Sequence, residues 1–213
     1  EIEGRTAVIT LNRPDRLNAM NQQMKDDLRE AWTIVRDDSE IWCAIITGEG
    51  RAFSSGADVE TLDGPGFRKI NRWHKLAMIE TVHALPTPRR MNVIKPVIAA
   101  VNGLVNGVTL DLVTEADIPI ASEKAQFFDS HVSLGYVSSH EMVAMARRVP
   151  LAVTMRMALL GAKERMSAER ALQVGLVTEV VPHEKLMERA RELAGMICEN
   201  APLAVWGTKM GIL

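Results

Sequence analysis

Two stretches of this 213-residue chain have the makings of a backbone anion site. The first is Gly48-Glu49-Gly50-Arg51-Ala52-Phe53-Ser54-Ser55-Gly56-Ala57-Asp58. There an apolar run ends in small residues, and a helix-like stretch follows the Asp. The second is Val101-Asn102-Gly103-Leu104-Val105-Asn106-Gly107-Val108-Thr109-Leu110-Asp111-Leu112, again an apolar run, a glycine-containing turn and a helix. Small residues let a backbone approach a ligand closely. An amide just ahead of a helix suits a developing negative charge. Two such turns on adjacent strands would aim two N–H groups at one oxygen, which is an oxyanion hole. One donor of such a hole is worth about 3–4 kcal/mol of barrier. A tight strand-to-helix turn with no ligand uses the same residues, so this pattern alone leaves both readings open.

The elements that must carry these turns can be read from periodicity. Thr6 to Leu11 is β-rich, and Asn12-Arg13-Pro14-Asp15 is turn chemistry. Asn21 is placed to cap a helix in which Met24, Leu28, Trp32 and Val35 recur at helical spacing. Ile41 to Thr47 and Lys95 to Val101 read as buried strands, with Arg51 to Asp58 as a loop and a helix near 68–84. A further helix is expected from about 105–107, and strands at 116–121, 125–128 and 175–181. Helices are expected at 140–148, 151–161, 167–174 and 184–199. The pattern predicts an α/β core over 1–150 and a helical C-terminal region over 151–213.

Composition narrows the function. Apolar residues make up 47% of the chain and the net charge is −2. No basic block with interleaved aromatics is present, which argues against a nucleic-acid partner. No apolar run reaches the roughly 18 residues that span a bilayer, so no membrane partner is expected and the cytoplasm is the expected location. Cys43 sits in an apolar run and reads as a buried thiol; with Cys198 as the only other cysteine, neither a disulfide nor a zinc site is expected. The chain opens at Glu1 without Met and closes on an apolar stretch, so both ends are expected to be cut.

Five motifs in order resemble the enoyl-CoA hydratase/isomerase (crotonase) family. They are Val8-Ile9-Thr10-Leu11-Asn12-Arg13-Pro14 with Leu17-Asn18-Ala19; Ala52 to Asp58; Lys95 to Gly103; Ala116 to Phe127; and Ala168 to Val177. The resemblance implies a spiral of ββα turns with a helical C-terminal region, assembled as a trimer or a dimer of trimers. It implies an acyl-CoA thioester as substrate and no other cofactor. It places the two oxyanion donors on the amides of Ala57 and Val108, with Gly107 keeping one glycine of the family's usual triple glycine. The two catalytic glutamates of family hydratases fall on Asp111 and His131, so the paired-glutamate arrangement is absent from these positions. A mixed Asp/His pair can still move protons, since histidine titrates near neutrality. Hydration, isomerisation, hydrolysis, C–C cleavage, decarboxylation and a catalytically silent acyl-CoA-binding role all stay open.

Around these positions, Glu60 stands where many members carry a CoA-binding Lys. Arg16 is the candidate replacement cation, and Asp58 joins the candidate substrate-binding residues. His74 and His83 read as surface or rim residues. Glu141 lies two residues beyond a position, here Ser139, that carries a carboxylate in some isomerases and dehalogenases. Capping of the 140–148 helix by Ser138 or Ser139, with Glu141 in its first turn, is the simpler expectation for it.

Overall fold

The computed structural model of the chain describes residues 1–58 and 85–213. The helix expected near 68–84, together with Glu60, His74 and His83, lies outside the described residues. The strands are β1 (Ile2–Glu3), β2 (Thr6–Leu11), β3 (Cys43–Gly48), β4 (Ala52–Ser54), β5 (Val97–Val101), β6 (Leu104–Asn106), β7 (Ile118–Ser122), β8 (Gln126–Phe128), β9 (Met166–Ser167) and β10 (Glu179–Val181). The helices are α1 (Gln22–Asp37), α2 (Leu110–Thr114), α3 (His140–Ala146), α4 (Leu151–Leu160), α5 (Ala168–Gln173), α6 (Leu186–Cys198) and α7 (Pro202–Ile212).

The strands form two sheets. The larger has the order β1-β2-β3-β5-β7-β10, and the smaller β4-β6-β8-β9. Only the edge pairs β1/β2 and β8/β9 are antiparallel. Three times in succession the chain runs up a strand of the large sheet, turns a corner, and adds a strand to the small one: β3 to β4, β5 to β6, β7 to β8. Helices α2 and α3 follow the second and third of these pairs. This is the ββα spiral expected from the sequence motifs.

Strand alternation explains the two-sided core. Ala44, Ile46, Val97, Ala99 and Val101 pack on one face with Leu28, Trp32, Phe53 and Leu112. Cys43, Ile45, Ile98 and Ala100 pack on the other, covered by Leu186, Ala190 and Ala194 of α6. Burial pushes the Cys43 thiol up to about 12, so it stays protonated and inert. The α1 stripe expected from the sequence is buried, and Asn21 Oδ1 accepts from the Met24 amide at 2.9 Å. The Trp32 indole donates to the Pro86 carbonyl at 3.0 Å.

The corners account for what the sequence reading missed. The stretch read as the loop 51–58 contains β4, and the helix expected from 105–107 is preceded by β6 and a 3-10 turn over Gly107–Thr109. Three-residue strands carry too little alternation to register as strands. A Cβ on Gly103 would stand 2.2 Å from the Arg51 carbonyl oxygen, so only glycine lets the second corner lie against the first. Among the described residues no helix is long and apolar enough to cross a membrane.

Trp32 fills the space between α1 and the large sheet with no exposed surface. Trp32→Ala is expected to cost about 3–5 kcal/mol of stability. Urea denaturation followed by circular dichroism measures this, and a loss under about 1 kcal/mol would contradict the packing described.

Candidate active site

The three strand pairs deliver their following loops to one cavity. It is lined by Ser55, Gly56 and Ala57 after β4; Asn106, Gly107, Val108 and Asp111 after β6; and Ser130, His131, Leu134 and Tyr136 after β8. Leu85, Arg90, Ser139, His140 and Glu141 complete the wall. Ala57, Gly107, Val108, Asp111 and His131, singled out in the sequence, are therefore brought together. Arg16 and Asp58 do not line this cavity. Asp58 is buried, 3.0 Å from Arg13 Nη1 and 3.9 Å from Arg16 Nη2, and the contact ties the 13–19 turn to the first site loop.

The loop bearing Ala57 is zipped to that turn. The Ser55 amide donates to the Leu17 carbonyl at 2.9 Å, Met20 to Gly56 at 2.8 Å, and Asp58 to Met20 at 3.2 Å. The Ala57 amide is passed over: no acceptor takes it among the described residues, and the same holds for the Val108 amide. Gly107 turns with φ +57, and a Cβ there would meet His131 Cε1 at 3.2 Å. Glycine is needed for both reasons.

Asn106 went unnoticed in the sequence. Its Nδ2 donates to the Ser55 carbonyl at 2.9 Å and to Ser130 Oγ at 3.0 Å, while Oδ1 accepts from the Ser130 amide at 3.1 Å. One side chain thus joins all three site loops. Its only sequence signal is its place beside the glycine of the second turn.

The charged groups form two linked sets. Asp111, 2% exposed, pairs with Arg90 Nη2 at 3.2 Å, and its Oδ1 has no partner among the described residues. Burial, helped by the nearby charge of Glu141 and opposed by Arg90, pushes Asp111 up to about 7. His131 does not pair with Asp111. Its Nδ1 is hydrogen-bonded to Asp129 Oδ1, and its Nε2 stands 3.8 Å from Glu141 Oε1. Burial pulls the His131 pKa down, but the Asp129 hydrogen bond and the surrounding carboxylates outweigh it and hold the imidazole above its usual range. Burial raises Asp129 in turn, and His131 more than reverses this, leaving it below the usual carboxylate range. Arg90 had no signal in the sequence, and Asp129 only its closeness to His131.

Glu141 meets the expectation for it only in part, standing in the first turn of α3. Ser139 is the N-cap of α3 but makes no capping hydrogen bond, and Glu141 is buried against the cavity with Ser138 Oγ 3.4 Å from its Oε2. This first-turn carboxylate therefore also forms part of the cavity wall.

The profile of the enoyl-CoA hydratase/isomerase family matches residues 1–210. This chain belongs to that family. It is an acyl-CoA enzyme of the hydratase/isomerase type. Its 211-residue alignment with (E)-benzylidenesuccinyl-CoA hydratase of Thauera aromatica is 35% identical, over 98% of this chain and 79% of the relative. Short-chain-enoyl-CoA hydratase of Clostridium acetobutylicum is 34% identical over 100% of this chain and 79% of its own length. A solved enoyl-CoA hydratase/isomerase from Mycobacterium paratuberculosis superposes with a TM-score of 0.87 at 45% identity, covering 100% of this chain and 79% of that one.

The His131–Asp129 pair has a pH window that this hydratase/isomerase-family enzyme should show. The raised imidazole stabilises the fold fully below its unfolded value near ~6.5, and that share is lost as pH rises through the folded pKa. The depressed carboxylate stabilises above its unfolded value near ~3.9 and loses that as pH falls through the folded pKa. Asp129→Asn is therefore expected to move the His131 titration midpoint to lower pH. Imidazole NMR reads it, and an unmoved midpoint would show that Asp129 does not hold the ring.

Proposed function

We propose that this enzyme adds water reversibly across the double bond of an α,β-unsaturated acyl-CoA thioester. The thioester oxygen sits between the amides of Ala57 and Val108, which stabilise the enolate formed when water attacks the β-carbon. The single observation that carries this reading is that Ala57 and Val108, whose amides find no acceptor among the described residues, line the same cavity as Asp111 and His131. Donors already in place cost nothing to reorganise as the charge develops.

Asp111 is the proton donor to the α-carbon, since burial keeps a share of it protonated near neutrality. His131, with Nδ1 fixed by Asp129, meets the water through Nε2 and positions it. Leu85, Leu134 and Tyr136 line the cavity beside these groups and take the acyl chain. Several relatives are named for water addition or removal, including carnitinyl-CoA dehydratase of Salmonella typhi at 36% identity over 94% of this chain and 74% of its own length. These names favour hydration over hydrolysis or C–C cleavage.

Mass spectrometry against a panel of enoyl-CoA thioesters tests the reading. Hydration adds the mass of water, isomerisation adds none, and hydrolysis frees CoA. Asp111→Ala and His131→Ala should each lower turnover about 10²–10⁴-fold, and unchanged turnover in both would remove them from the mechanism.

The direction of the pH dependence follows from Asp111. Its protonated form is the donor, so kcat/KM for hydration should fall as pH rises through about 7, and kcat/KM for dehydration should fall in parallel because the equilibrium takes up no proton. Initial rates measured in both directions across this range check it. A hydration rate that climbs through that pH would contradict Asp111 as the acid.

A further inference from the structure

We infer that Glu141 is the general base of this site, taking the proton from the water that adds to the substrate. The inference rests on the water-addition reading above and supplies the group that reading lacks. The sequence places one carboxylate, Asp111, and one imidazole, His131, at the positions where family hydratases carry paired glutamates. In the folded chain a second carboxylate enters the same cavity from α3, an element further along the chain.

Glu141 is 5% exposed although it stands in the first turn of a helix, where a carboxylate would ordinarily face solvent. Its side chain turns inward onto the wall shared with Asp111 and His131. Its Oε2 lies 3.4 Å from the Ser138 hydroxyl, and its Oε1 lies 3.8 Å from His131 Nε2. That last distance is too long for a direct hydrogen bond and short enough for one water to touch both groups.

The division of labour follows from the partners. His131 Nδ1 is committed to Asp129, so Nε2 is the ring nitrogen that meets the water. The Glu141 carboxylate, 3.8 Å from that nitrogen, is the acceptor that can share the same water. Asp111 is spent as the acid. Among the described residues Glu141 is the other carboxylate on the cavity wall.

The step closes on atoms and electrons. A water O–H proton moves to Glu141 as its oxygen bonds to the β-carbon. The π electrons of the double bond shift to the thioester oxygen, giving the enolate held by the Ala57 and Val108 amides. The enolate collapses and the α-carbon takes the proton of Asp111. Solvent then carries the proton from Glu141 back to Asp111, and the net change is one water added.

The test compares Glu141→Gln with the unaltered enzyme in two assays. One is hydration of a four-carbon trans-2-enoyl-CoA. The other is exchange of the α-hydrogens of the saturated four-carbon acyl-CoA in D2O, followed by NMR. Exchange needs the amides and Asp111 but no attacking water. Glu141→Gln should lower hydration at least 100-fold and leave exchange within threefold, and Glu141→Asp should recover part of the loss. Hydration within threefold of the unaltered enzyme overturns the assignment. So does parallel loss of hydration and exchange, which would mark Glu141 as structural. Failure of the water-addition reading itself is seen separately, as no hydration by the unaltered enzyme.

Discussion

The hydrogen bonds of one side chain, that of Asn106, hold the cavity together. They tie the loop after β4, the turn after β6 and the loop after β8 into a single unit. Amides that face a ligand cannot also satisfy the loops that carry them, yet buried backbone groups must find partners. Side chains take over that duty throughout the corners. Asn18 Nδ2 donates to the Glu49 and Ala52 carbonyls, and Asn102 Nδ2 to those of Gly50 and Ala52. Backbone bonds hold the Ala57 loop to the 13–19 turn without using the Ala57 amide, and the asparagines add the rest of the stitching.

The charge of the cavity is set by the same economy of partners. Arg90 and His131 face Asp111, Asp129 and Glu141. Counted among the described residues and with every one of these groups ionised, the carboxylates outnumber the cations by one. Burial pushes Asp111 up to about 7, and proton uptake there relieves that excess. Asp129 does not contribute to the problem, because its charge is matched by the ring it holds. Burial acts on Asp111 and His131 in opposite senses, and the local partners decide which group keeps its proton.

Much of the fold was legible because long elements carry long patterns. The α1 stripe from Met24 to Val35 and the apolar runs of β3 and β5 announce themselves over six or more residues or through repeated spacing. The strands β4 and β6 do not, since three residues cannot show an alternation, and their identity comes from the corner that precedes them. The ββα order was accessible only through the motif resemblance. For the site, residues within the two glycine-bearing turns could be anticipated from composition, whereas Asp111 and His131 came from the resemblance alone. Glu141 could be placed in the first turn of its helix but not on the cavity wall, and Arg90 and Asp129 could not be placed, because nothing in local sequence says that a first-turn glutamate turns inward or which carboxylate a histidine meets. Those facts are created when α3 packs beside the turn at Gly107.

The small sheet has a further consequence. Strands β4, β6 and β8 are parallel neighbours, and each ends at the cavity. Adjacent strands lie about 4.8 Å apart, a distance fixed by backbone hydrogen bonding and indifferent to side chains. The sheet therefore works as a ruler, setting the step from Ala57 to Val108 and from Val108 to the His131 loop. Side chains on the described loops beyond these strand ends can change without altering that spacing, so the backbone step and the lining of the cavity vary independently.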